Sequence, residues 1–161
     1  MNYSLIVAFS FFLISILSGI SLSQKFNEKL LFYKALLDLN RDLIASLNFD
    51  RMDLPLILTN NRSTFSNAFN ELINCKIKQL YGENNKFKLP PFLSNKETVE
   101  ICDYLNKLGK HDCKTSLIIL KNYDEYFNKI CIELNEITLK KGALYKKLAI
   151  LIGLIVFVIV V

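Results

Sequence analysis

Two long apolar runs bracket a stretch in which hydrophobic and polar positions alternate with the helical period. The first, SLIVAFSFFLISILSGISLS, belongs to a segment without a charge from Met1 to Gln24. At about 1.5 Å per residue it is long enough to cross a hydrocarbon core of roughly 30 Å. The second, LAILIGLIVFVIVV from Leu148, is shorter, and it spans if Lys146 and Lys147 snorkel towards the headgroups. Between the runs, Phe26, Leu30, Tyr33, Leu37, Ile44 and Leu47 follow a heptad spacing that Asn40 interrupts. That pattern predicts one buried stripe on a long helix continuing straight from the first span.

Punctuation divides the rest into further helices. Asp53 before Pro55 reads as an N-cap with proline in the first turn, opening a short helix over Pro55 to Leu58. Another helix is expected from about Ser63, carrying Phe65, Phe69, Leu72, Ile73, Ile77 and Leu80, with Gly82 as its stop. The segment GENNKFKLPP is loop. Ser94 and Glu97 fit a capping box, in which serine caps a backbone N–H and glutamate reaches back to the cap residue. The helix they open carries Val99, Cys102, Leu105 and Leu108 and meets Gly109. The last helix begins at Asp112, keeps Leu120, Tyr123, Phe127, Ile130, Leu134 and Ile137 in three-four spacing, and runs into the second span. Glycine and proline are scarce and β-branched alternation is absent, so the fold class is all-α. The two long helices must return to the same membrane side and therefore pair antiparallel as a stalk. The core expected includes Phe69, Leu72, Leu105, Phe127, Ile130 and Leu134.

These readings divide the 161 residues into a first membrane helix (1–24), a helical bundle (25–143) and a second membrane helix (144–161). Charge then orients them. Lys25, Lys29 and Lys34 follow the first span, Lys140, Lys141, Lys146 and Lys147 precede the second, and no basic residue lies on the far side of either. The positive-inside rule puts the bundle in the cytoplasm. Juxtamembrane lysines suit an anionic lipid leaflet and account for much of the net charge of +5, which therefore calls for no nucleic acid. Within the spans, Ser15 and Gly19 make a small-xxx-small face, and Gly153 offers a flat spot opposite for close helix packing. A competing reading takes the first run as a signal peptide cleaved after Ser21-Leu22-Ser23, but no basic residue precedes it and the run exceeds a usual signal core.

Candidate chemistry is sparse. His111 is the single histidine, and no Ser-His-Asp arrangement or site of several histidines is assigned to it; His111-Asp112-Cys113 could supply metal ligands, but the three read as a loop histidine beside an N-cap aspartate and a small core cysteine. The five glycines are far apart and form no phosphate loop. Cys75, Cys102, Cys113 and Cys131 have no zinc-ribbon spacing and read as reduced thiols in a cytoplasmic domain. No catalytic, cofactor-binding or metal-ligating residue is assigned.

The turn LGKHD (Leu108 to Asp112), the long helix after it and the closing YKKLAILIGLIVFVIV resemble the stage III sporulation protein AB family of endospore-forming bacteria. The N-terminal span, the charged helix LLDLNRDLIASL and Pro55-Leu56 match in order. Departures from the family's pattern are Phe49 near the Pro-Leu pair, Ala149 where a glycine is common, and TSLIIL where glutamines are frequent. The resemblance implies a soluble domain similar to the type II secretion F-type platform protein, a bundle of about six helices. It also implies a place in the mother cell–forespore channel complex, on the mother-cell side. Partners implied are membrane lipid, a secretion-type ATPase of the stage III sporulation protein AA type, and other stage III sporulation membrane proteins. If the stalk pairs antiparallel, Arg51, Asp53, Lys110 and His111 sit at its membrane-distal end and are the expected partner contacts. A generic membrane-anchored coiled-coil scaffold, such as a division-site protein, shares this topology and stays open.

Overall fold

In the computed structural model, which describes residues 3–49, 54–61, 66–83 and 86–160, the described residues are mostly helical, with turns and the irregular segment 86–90 between helices. Five helices are present among the described residues: α1 (Tyr3–Phe49), α2 (Leu54–Asn60), α3 (Asn67–Leu80), α4 (Asn95–Lys107) and α5 (Cys113–Val160). The resemblance implies about six. The caps explain most of the boundaries. Ser66 accepts from the Phe69 N–H to open α3, three residues later than the Ser63 start expected. Ser94 and Glu97 form the reciprocal capping box that opens α4. Gly82, at φ +90°, ends α3, in a backbone conformation that costs other residues about 1–2 kcal/mol. Asp53 and Phe65 lie outside the described residues.

The chain forms two compact units. One comprises Met1–Leu30 with Glu133–Val161, the other Leu31–Ile132. In the first, α1 and α5 run antiparallel: Phe12 meets Gly153, Ser15 meets Ala149, and Phe26 stacks on Tyr145 at 5.9 Å and 10°. The outward side chains here are large and apolar, Phe9, Ile14, Leu17, Leu151, Ile155 and Val158 among them, and Leu17 is 65% exposed. A surface of that kind fits hydrocarbon rather than water. Among the described residues one helix, α1, is long and apolar enough to cross a membrane, and its apolar window is exposed rather than buried as a core helix would be. The second span expected over 144–161 does not pass the same test among the described residues. Its uninterrupted apolar run opens only at Leu148, after Lys146 and Lys147.

The second unit has an ordinary core. Phe32, Tyr33, Leu36 and Leu39 of α1, Phe69, Leu72 and Ile73 of α3, Ile101, Tyr104 and Leu105 of α4, and Phe127 of α5 are among its fully buried side chains. Tyr104 and Phe127 meet edge to face at 5.1 Å, and Tyr33 lies 6.3 Å from Phe127. The buried face of α1 is wider than the heptad stripe, and Leu47, at its end, is 39% exposed. Asn40 is wholly buried within that face, where it donates through Nδ2 to the Leu120 carbonyl of α5 at 2.9 Å. Two expectations need correcting. Val99 is 67% exposed, the α4 core being Ile101, Tyr104 and Leu105, and Ile130 is half-buried beside a fully buried Phe127.

Candidate functional site

Two places in the molecule bring together side chains that the sequence marked. In the first unit the seam between the apolar halves of α1 and α5 is built on small residues. Ser15 Oγ donates to the Ala149 carbonyl at 2.7 Å. A Cβ added at Gly19 would overlap that of Ala149, and one at Gly153 would fall 2.7 Å from the Phe12 ring. Close backbone approach therefore depends on glycine at Gly19, where the added Cβ would also lie 3.2 Å from the Tyr145 carbonyl, while Gly153 leaves room for the Phe12 ring. Beyond this seam, Lys25, Lys140, Lys141 and Lys147 are exposed and Lys29 is half-buried. Lys140 pairs with Glu136 at 3.2 Å, a contact between exposed groups that adds little stability. The Lys146 side chain lies outside the described residues.

The second place is the turn from α4 into α5. Gly109 takes φ +79°, and a Cβ there would come to 3.0 Å from Leu54 of α2, so glycine lets the turn form and lets α2 approach it. Asp112 then caps α5, its carboxylate accepting from the Thr115 N–H at 3.3 Å. Hydrogen bonding to Thr115 holds the Asp112 carboxyl below the usual carboxylate range. Lys110 and His111 stand together on this turn, both exposed. Arg51 and Asp53 lie outside the described residues.

Beside the turn lies a groove of about 300 Å³. Leu43, Leu54, Leu108 and Leu120 line it with apolar surface, while Ser46 and His111 supply polar groups. Sequence reasoning had no means of finding this groove, because its walls come from α1, α2, the turn and α5. It also passed over Lys76. That lysine is only 4% exposed and extends the buried stripe Phe69, Leu72, Ile73 of α3 by one more turn. The helical period places it there, and a lysine on a core stripe was the available signal. Burial holds its ammonium below the ordinary lysine value, and the charge of nearby Lys110 pushes the same way.

Elsewhere the titratable groups serve packing. Tyr123 donates to Asp103 at 2.9 Å, and Lys107 pairs with the same carboxylate while lying 5.8 Å over the Tyr123 ring. Hydrogen bonds from Lys107 and Tyr123 hold Asp103 below the usual carboxylate range. Among the described residues no group of histidine, cysteine and carboxylate side chains could hold a metal ion.

The sequence pattern of stage III sporulation protein AB matches residues 4–161, essentially the whole chain. The chain belongs to the stage III sporulation protein AB family. Its role is therefore in sporulation, in a family not known for enzymes. No curated protein and no solved structure matches the chain. In this stage III sporulation AB protein, the Ala149 methyl group faces Gly19.

Proposed function

We propose that the chain is a non-enzymatic assembly platform of the mother cell–forespore channel complex. Two membrane helices anchor it, and its second unit, in the cytoplasm, docks a secretion-type ATPase of the stage III sporulation protein AA type. The observation that carries this reading is the division of labour between the units. One exposes large aliphatic and aromatic side chains along paired helices, and the other buries a complete core and keeps a polar surface. That is the construction of a membrane-held docking domain, and membership in a sporulation family gives it a process. The lysines flanking the apolar seam favour an anionic cytoplasmic leaflet. Other stage III sporulation membrane proteins are the further partners of this reading.

The test is binding of purified ATPase to the full chain in nanodiscs, followed by interferometry. Saturable binding, weakened as ionic strength rises, is expected. A chain that binds no ATPase, and that cells produce during vegetative growth, would instead fit a general membrane scaffold.

A further inference from the structure

Between α3 and α4 the chain reads KFKLPPFLSNK from Lys86 to Lys96, a mixture of lysines and apolar side chains without an acid. Lys86, Lys88 and Lys96 are exposed, as is Pro91. Glu71 of α3 lies 3.5 Å from Lys88, an exposed pair that another anion can replace at little cost. Residues 90–93 form a tight turn, in which the Leu93 N–H donates to the Pro90 carbonyl at 3.2 Å. Phe92 fastens the turn, its ring edge to face with the wholly buried Phe32 of α1 at 5.7 Å. Phe32 stands three residues past Lys29 on one continuous helix, a rise of about 4.5 Å. The turn is thus held to α1 within one helical turn of the lysines that follow the apolar run.

We propose that the segment Lys86–Lys96 rests on the lipid surface, its lysines among anionic headgroups and the Pro90–Leu93 turn set into the headgroup layer. This goes beyond the platform reading and rests on its membrane anchor, because α1 is what brings the turn to the bilayer. The charge is complementary: three lysines without an acid between them add to Lys25 and Lys29 and suit an anionic leaflet. The backbone suits a layer poor in water, because Pro90 and Pro91 have no N–H to leave unpaired. Leu93 donates within the turn, and Ser94 donates to the Glu97 carboxylate at 2.8 Å. Val99, 67% exposed and outside the core, shares a face of α4 with Lys96 and puts apolar surface beside that charge. Such a contact holds the second unit to the leaflet at a point other than its two long helices.

The test places the full chain in nanodiscs of phosphatidylcholine, with or without phosphatidylglycerol, that carry a lipid with a nitroxide just below its headgroup. One environment-sensitive fluorophore is attached to a single cysteine: Pro91→Cys, Asn95→Cys, Ile20→Cys in the apolar run, or the native Cys113. Cys113 is exposed and separated from the turn by the length of α4, about 20 Å. Quenching at Pro91 and Asn95 should be severalfold stronger in anionic than in neutral nanodiscs, and Cys113 should be quenched in neither. Lys86→Gln, Lys88→Gln and Lys96→Gln combined, all exposed positions, should lower quenching at Pro91 to the neutral level without loss of helicity, and raised salt should do the same. Asn95→Cys decides the matter if Pro91→Cys disturbs the turn. Quenching at both positions no stronger than at Cys113, equal quenching in the two lipids, or an unchanged triple variant would each overturn the proposal. Quenching at Ile20 with none at Pro91 or Asn95 removes the surface contact and keeps the anchor, whereas no quenching at Ile20 removes both.

Discussion

Phe127 touches Tyr33, Tyr104, Tyr123 and Tyr126 and is wholly buried, so no other single side chain of α5 is tied to as many rings. Phe127→Ala should cost about 3–5 kcal/mol, read from denaturant unfolding of the full chain in micelles. Ile130→Ala, at a half-buried site one turn on, should cost clearly less, and equal losses would contradict the burial seen here. The cysteines give a second measurement at this scale. Cys113 is exposed and Cys131 buried, and burial pushes the Cys131 thiol up to about 11. A maleimide should therefore modify Cys113 first and reach Cys131 only on unfolding. The sign of the pH effect follows from the same shift. The unfolded thiol ionises near its ordinary 9.0 and the folded one near 11, so the stability tied to the protonated thiol is complete below about 9. It is lost as pH rises through the folded value. An alkaline titration of the denaturation midpoint would show that fall, and a Cys131→Ala chain should lack this part of it.

At the scale of elements, the turn between α4 and α5 depends on one residue. Gly109→Val forces a branched side chain into φ +79° and against Leu54, and it should cost at least about 1–2 kcal/mol in thermal unfolding. The seam of α1 with α5 makes a sharper case. Gly19→Ala alone should disturb it, because two methyl groups would compete for one place, whereas Gly19→Ala with Ala149→Gly exchanges the partners and should restore it. Crosslinking between cysteines introduced along the seam reads both results, and a double variant no better than the single would rule out packing at that contact. These local features were legible in the sequence because caps and glycine turns act within a few residues: Ser94, Glu97, Gly82 and Gly109 stand where their chemistry places them. The facing of α4 was not. Val99, Cys102, Leu105 and Leu108 advance in steps of three, and each such step slips about 60° around a helix. Ile101, Tyr104, Leu105 and Leu108 stand at i, i+3, i+4 and i+7, stay on one side, and are the residues buried. Lys76 was passed over for its charge although its position followed the period, and the groove was out of reach because its walls lie far apart in the chain.

For the whole molecule, topology is the property that the proposed function needs most. In a cysteine-free background, a cysteine at Asn2 should react with an impermeant maleimide on intact cells, and one at Lys86 should react only after lysis. Labelling of the Lys86 site on intact cells would put the second unit outside and remove any cytoplasmic partner. The residue pattern predicted the helical class, the continuity of α1 and α5 and their antiparallel pairing, because long apolar stripes must be covered and a returning helix is the nearest cover. The Ser15 hydroxyl adds a matter of timing. Its acceptor, the Ala149 carbonyl, lies 134 positions later in the chain. At a synthesis rate of about 5–20 residues per second, roughly 7–27 s pass between the appearance of the one and of the other. Throughout that interval the N-terminal apolar helix has emerged from the ribosome without its mate. A newborn chain must be held in the bilayer, or by a chaperone, until Ala149 and its neighbours arrive.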